Sequence, residues 1–178
     1  MENQQEQQMI QCKTKDNEVV NVRLDWLRQS KTFKTMSEDM GLDLDDPNLI
    51  FPVSALTTAS FQKCMEWCQH HIEVPDAEFA RDPITQQAIW FEMNDQEKQF
   101  FKIKSKELEN LLIAATYLDI RSLYLYAVQA MTAVIMELQA EEHHDELREL
   151  LGEPDDLTPE QKEKIKKENV YSLTLTKK

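Results

Sequence analysis

The chain has 178 residues, and its 33 acidic and 20 basic side chains give a formal net charge of -13. This length suits one compact domain with a small extension, and two glycines in the whole chain argue against a glycine-rich phosphate loop. The acidic excess argues against nucleic acid as a partner, because clustered Lys and Arg are what bind a phosphate backbone.

The sequence also predicts the compartment. No apolar stretch approaches the roughly 20 residues of a membrane span, and residues 1–8 are polar and acidic, unlike a secretion signal. Cys12, Cys64 and Cys68 are odd in number and lack CxxC spacing, so we expect reduced thiols and no disulfide. We therefore expect a cytoplasmic and nuclear protein with no membrane partner.

The first half of the chain alternates between strand and helix patterns. After a disordered tail over residues 1–8, two short apolar runs around a Lys-Asp-Asn turn predict a hairpin over residues 9–22. A short helix from Leu24 and a second over residues 32–40, ended by Gly41, follow. Residues 48–53 predict a third strand. In the helix predicted over residues 58–71, Phe61, Cys64, Met65 and Cys68 share one face, which belongs in a core.

The middle of the chain combines a loop with two strongly periodic helices. Residues 72–97 lose the periodicity, so we expect a long disordered loop. Ser105 is placed to cap a helix that runs to Leu118, and Asp119 to cap the next, over residues 120–138. This last helix is apolar on two sides and therefore requires two neighbours.

The C-terminal part has few apolar anchors. Thr158, Pro159 and Gln161 form a capping box with proline at the first helical position. The turns that follow offer only Ile165 as an apolar anchor, so the helix would be marginal alone. We expect residues 144–178 to order fully on a partner.

The residues that resemble metal or catalytic sites have simpler explanations. Cys64 and Cys68 lie on the buried stripe, and the nearby His70 and His71 do not complete a zinc motif. His143 and His144 lie in an acidic stretch that offers no second pair of metal ligands. No GxSxG, HExxH or P-loop pattern is present. We expect no metal, no cofactor and no enzymatic activity.

Four blocks of the sequence carry a resemblance to a known family. They are DNEVVNVRLDWLRQSKTFKTMSEDMG from Asp16, FQKCMEWCQHH from Phe61, LLIAATYLDIRSL from Leu111 and DDLTPEQKEKIKKEN from Asp155. In this order they resemble the S-phase kinase-associated adaptor family, which links F-box proteins to a cullin in SCF-type ubiquitin ligases.

The resemblance implies an architecture and a function. The fold class would be α+β, with a BTB/POZ-like cullin-binding domain over residues 9–138, including the loop at about 72–97, and a C-terminal helical F-box-binding extension over residues 139–178. The implied function is that of a non-enzymatic adaptor subunit in ubiquitin-dependent protein degradation, with a cullin and F-box proteins as partners.

The resemblance also implies site residues, and several depart from the family pattern. Thr116 and Tyr117 stand where an Asn-Tyr pair faces the cullin, so one amide is lost. The implied F-box-binding residues are Met131, Ile135, Leu147, Leu151, Glu153, Ile165 and Tyr171. Leu151 replaces Phe, Tyr171 replaces Trp and Glu153 replaces Ile. Glu153 faces solvent, meets a basic residue of the partner, or makes F-box binding selective or weak.

These departures leave an alternative open. An apolar groove without an F-box protein would be a sticky surface, and a symmetric dimer could bury it. The second hypothesis is therefore a self-associating structural or scaffold protein on the same fold, with a second copy of the chain as a candidate partner in a homodimer.

Overall fold

A computed structural model describes residues 8–72, 74, 80–86, 88–140 and 143–168. The chain divides into two compact units between Val134 and Ile135, a turn earlier than the boundary expected at residue 138. None of the described helices is both long and apolar enough to cross a bilayer.

A small mixed sheet lies in the first unit. It consists of β1 (Met9–Thr14), β2 (Val19–Arg23) and β3 (Ile50–Val53), in the order β2-β1-β3. β1 pairs antiparallel with β2 and parallel with β3, which confirms the predicted hairpin and third strand. Ile10, Cys12 and Thr14 are buried while the residues between them are more exposed, as expected of a strand with one face on the core.

Helices separate and follow these strands along the chain. They are α1 (Leu24–Leu27), α2 (Lys31–Asp39), α3 (Thr58–His70), α4 (Asp95–Phe100), α5 (Ser105–Leu118) and α6 (Arg121–Ala140), the last of which continues into the second unit. Side chains at Ser30 and Thr57 accept backbone hydrogen bonds that begin α2 and α3. Gly41 follows α2 with φ of 58°, a conformation that suits glycine.

The core of the first unit is continuous. Its largest fully buried side chains include Trp67, Phe33, Phe51 and Phe61, and the rings of Phe33 and Phe51 meet edge to face at 4.9 Å. The predicted stripe of α3 is confirmed, because all four of its members are buried. Burial of these side chains is the main source of the unit's stability.

The described part of the region 72–97 differs from the disordered loop that we expected. Two-residue strands β4 (Ala80–Arg81) and β5 (Ala88–Ile89) pair antiparallel. In the turn between them, the Asp82 carboxylate accepts hydrogen bonds from the backbone amides of Thr85 and Ile84, which lower its pKa. Strands this short have no readable periodicity.

The second unit contains two described helices. They are α7 (His144–Leu151) and α8 (Pro159–Glu168). The predicted capping box at the start of α8 is confirmed: the backbone amide of Gln161 donates to the Thr158 hydroxyl at 3.3 Å, and the Thr158 amide donates to Gln161 Oε1 at 2.8 Å.

Candidate partner-binding surfaces

The last turn of α5 carries the two residues that the resemblance assigns to the cullin. Thr116 is exposed, but its hydroxyl already donates to the Leu112 carbonyl of the same helix at 2.9 Å. Tyr117 is half-buried and packs on the core, while its backbone carbonyl accepts a hydrogen bond from the Thr32 hydroxyl at 2.8 Å. The backbone of this turn is therefore anchored to α2, and part of the tyrosine ring stays accessible.

Asp119 has a different role from the one predicted. It lies in the left-handed conformation, with φ of 49°, and ends α5 rather than capping α6 through its side chain. Its short polar side chain makes this conformation tolerable. The predicted cap at the other end of α5 is also wrong, because Lys104 is the N-cap residue and Ser105 is already helical, without a side-chain cap. The absence of a strong cap leaves the packing of the apolar stripe to stabilise α5.

Ile113 is an exposed apolar residue that the sequence analysis missed. It is 56% exposed and lies three and four residues before Thr116 and Tyr117, so the three residues share one face of α5. The signal was present in the sequence, because Ile113 falls outside the apolar stripe of this helix. Ile113 therefore adds exposed apolar area beside Thr116 and Tyr117.

The candidate F-box residues of α6 lie on either side of the division between the units. Met131 belongs to the first unit and Ile135 to the second, and both are partly buried. Since they are four residues apart in one helix, they share a face. Met136, next to them, is 60% exposed.

The end of α7 presents further candidates. Leu147 is partly buried and Leu151 is 58% exposed. Gly152, with φ of 69°, closes the helix: its amide donates to the Glu149 carbonyl at 3.2 Å and the Glu153 amide to the Arg148 carbonyl at 3.0 Å, the two bonds of a Schellman motif. The side chain of Glu153 is exposed in the isolated chain, in agreement with the first of the three alternatives above.

A network of ion pairs connects α7, α8 and the segment between them. Asp155 contacts Arg148 at 2.9 Å and also Lys162, and both cations lie within 3.8 Å of Asp145. Lys162 and then Arg148 lower the pKa of Asp155. Exposed ion pairs therefore connect α7 and α8. Ile165 of α8 remains 42% exposed. Tyr171 lies outside the described residues.

The described residues offer no metal site and no reactive thiol. No group of three His, Cys, Asp or Glu residues among them is placed to hold a metal ion. All three cysteines are free and buried, and burial raises the pKa of Cys12 and of Cys68 to about 12 and that of Cys64 as well. Such thiols are poor nucleophiles near neutral pH.

A buried polar cluster in the first unit was also missed. His71 stacks on Trp67 with ring centroids 3.6 Å apart, and its ring nitrogens face the Trp67 carbonyl at 2.9 Å and Glu97 Oε1 at 3.2 Å. Burial, followed by the charge of Glu97, raises the pKa of Tyr126. The signal in the sequence was the spacing of Asn94 and Glu97, which form the capping box of α4.

Comparison with known proteins gives one consistent family. Residues 8–73 match the model described as "Skp1 family, tetramerisation domain" and residues 122–171 the one described as "Skp1 family, dimerisation domain". The chain is 29% identical to a "Skp1-related protein" of Caenorhabditis elegans over 164 residues, 91% of this chain and 90% of the relative.

A second relative comes from a distant organism. Over 163 residues, which cover 92% of this chain and 94% of the relative, the chain is 27% identical to the "SCF ubiquitin ligase complex protein SKP1a" of Dictyostelium discoideum. The similarity therefore extends through both units and is not confined to the BTB/POZ-like part.

Proposed function

The chain belongs to the Skp1 family, and we propose that it is an adaptor subunit of an SCF-type ubiquitin ligase that bridges a cullin to F-box substrate receptors. The observation that carries this proposal is the match of both family models, one in each half of the chain. The printed name of the Dictyostelium relative supports the ligase context. The adaptor would have no catalytic activity of its own and no need of a cofactor.

The proposed cullin-facing surface is the exposed face of α5. Tyr117 and Ile113 offer apolar area, and Thr116 lies between them. Because the Thr116 hydroxyl donates within its own helix, it cannot also donate to a cullin. We expect affinity for a cullin to be about 1 kcal/mol lower for each amide hydrogen bond that an asparagine would have made there.

The proposed F-box-binding residues are the candidates on α6, α7 and α8. Exposed Leu151 and Ile165 support this assignment, since large apolar side chains at the surface of short helices often mark a binding site. Where an F-box protein does contact Glu153, a basic residue of that protein would be needed to pair with its carboxylate. Tyr171 stays in the proposal as a candidate from the sequence.

Reconstitution tests the adaptor proposal. The chain is co-expressed with an F-box protein and the N-terminal part of a cullin, and the mass is measured by size-exclusion chromatography with light scattering. We expect a 1:1:1 complex. Ile113→Asp should remove the cullin and retain the F-box protein. Failure of the wild-type chain to bind either partner would contradict the proposal.

A self-associating protein on the same fold is the second candidate. The exposed apolar residues Met136, Leu151 and Ile165 favour it, because a second copy could bury them. Light scattering of the isolated chain at tens of micromolar separates the two functions: a monomer supports the adaptor, and a dimer that excludes F-box proteins supports the structural role.

We also propose that the protein acts in the cytoplasm and nucleus, where free thiols such as its three buried cysteines persist. Imaging of a tagged chain would test this, and a secreted product would contradict it.

A further inference from the structure

The described lining of an open groove of about 800 Å³ in the first unit is net positive, opposite in sign to the whole chain. Among the residues that the structure describes, the lining has four cationic side chains, Arg28, Lys31, Lys34 and Arg121, and one acidic side chain, Asp119. The whole chain carries a net charge of -13. A local excess of positive charge on so acidic a protein requires an explanation.

Described acidic residues compensate few of the cations in the groove. Within the described ranges, Lys31 pairs with Asp119 at 3.8 Å, and both side chains are more than half exposed, so this pair is weak and exchangeable. Arg28, Lys34 and Arg121 form no ion pair with any described residue. Lys31 and Lys34 also lie in the first turn of α2, where the helix dipole is unfavourable for cations. An anionic ligand would relieve both effects.

The groove is too large and too apolar for a small anion. Besides the cations, Ile72 and Tyr124 line it, and they are 44% and 43% exposed. A volume of about 800 Å³ exceeds what one phosphate fills. An extended phosphate backbone would reach past the groove onto a chain whose net charge is -13, whereas a short peptide would stay within the groove. A peptide with carboxylates and apolar side chains at short spacing fits both the cationic and the apolar lining of the groove.

We propose that this groove binds an acidic peptide segment of a partner protein, with carboxylates on Arg28, Lys34 and Arg121 and an apolar side chain against Ile72 and Tyr124. The inference goes beyond the proposed function, because the resemblance assigns no role to Arg28, Lys34 or Arg121. Thr116 also lines the groove, so the peptide site borders the proposed cullin-facing surface.

Fluorescence anisotropy with a labelled peptide of about ten residues, rich in Glu with interspersed Leu, tests the proposal on the full chain. We expect saturable binding that weakens as salt is raised. The same peptide with Gln in place of Glu should not bind. In the double variant Lys34→Glu/Arg121→Glu, affinity should fall about tenfold or more.

The matched control is Lys13→Glu/Lys15→Glu, which makes the same change of charge at exposed residues outside the groove. The affinity of this control variant for the peptide should stay within about twofold of the wild type, since its changed charges act on the groove only over a long, screened distance. Circular dichroism verifies that both double variants fold, and both should still bind an F-box protein.

Four outcomes would overturn the proposal. They are no binding by the wild-type chain, equal losses in the two double variants, displacement of the peptide by millimolar inorganic phosphate at constant ionic strength, and a salt-sensitive dimer that Lys34→Glu/Arg121→Glu dissociates. The third would assign the groove to a small anion and the fourth to a second copy of the chain. Loss of the ternary complex with peptide binding intact would instead contradict only the adaptor proposal.

Discussion

Single residues in the first unit stabilise it through buried polar contacts. His71 and Glu97 are the clearest example, because their side chains are 8% and 6% exposed. The carboxylate of Glu97 also accepts the Asn94 amide at 2.8 Å, and Glu97 contacts Tyr126. The carboxylate of Glu97 thus interacts with His71, Asn94 and Tyr126.

Glu97→Ala should lower the free energy of unfolding by about 3 kcal/mol, because it leaves buried polar atoms of His71 and Tyr126 without a partner. Glu97→Gln should be milder, since an amide can still accept from Asn94. Urea denaturation measures both. Glu107→Ala, at an exposed position of α5, is the control and should change stability by less than about 0.5 kcal/mol. Equal effects of Glu97→Ala and Glu107→Ala would contradict the importance of the cluster.

Asp16 links the β1–β2 turn to the start of α3. Its carboxylate accepts the Thr58 amide at 3.1 Å and the Thr58 hydroxyl at 2.9 Å, and the neighbouring Thr14 hydroxyl and the Thr58 amide lower its pKa to about 2. Since the folded pKa lies below the ordinary value of 3.8, the stabilisation is complete above that value and is lost as the pH falls toward 2.

Asp16→Asn should therefore lower the melting temperature near neutral pH, and the difference from the wild type should vanish by about pH 2. Thermal melts between pH 2 and 7 measure this. Glu18→Gln in the same turn is the control, because no described residue donates a hydrogen bond to its side chain. A difference that persists unchanged at pH 2 would show that the contact acts through geometry and not through charge.

At the scale of elements, α7 and α8 are stabilised differently from the helices of the first unit. Within the described residues, neither helix of the pair has a fully buried side chain. Their ion pairs centre on Asp155, and exposed pairs of this kind contribute little. The apolar side chains of this pair are therefore available for binding a partner.

Ile165→Asp should weaken binding of an F-box protein by about ten- to a hundredfold, because it places an unpaired carboxylate in an apolar contact. The melting temperature of the isolated chain should change little, since Ile165 is exposed. Isothermal titration calorimetry measures the affinity. Ile84→Asp makes the same change at a side chain that is 89% exposed in the β4–β5 turn and should bind normally. Unchanged affinity of Ile165→Asp would remove α8 from the proposed surface.

For the whole molecule, the sequence predicted the elements better than their contacts. Periodicity placed α3, α5 and α6 because each has a long apolar stripe, and cap chemistry placed the start of α8. The parallel pairing of β1 with β3 depends on residues about 40 positions apart in sequence, which no local pattern encodes. The resemblance supplied the α+β architecture that the structure confirms.

The candidate surfaces were predictable to different degrees. Thr116, Tyr117 and the F-box candidates came from the resemblance alone, and their roles remain proposals. Ile113 was visible as an apolar residue on a polar face. The basic groove was not visible, because Arg28 and Lys34 lie far from Arg121 in the sequence and only the folded core brings them together.

Pro52 in β3 has a consequence for the behaviour of the chain during synthesis and at high concentration. Among the described strands β3 lies at the edge of the sheet, and Pro52 is exposed there and has no amide hydrogen. A strand of another molecule that paired with β3 would find no N–H donor at Pro52, in the middle of this four-residue strand. Pro52 thus disfavours the edge-to-edge pairing of β3 with other molecules that leads to aggregation.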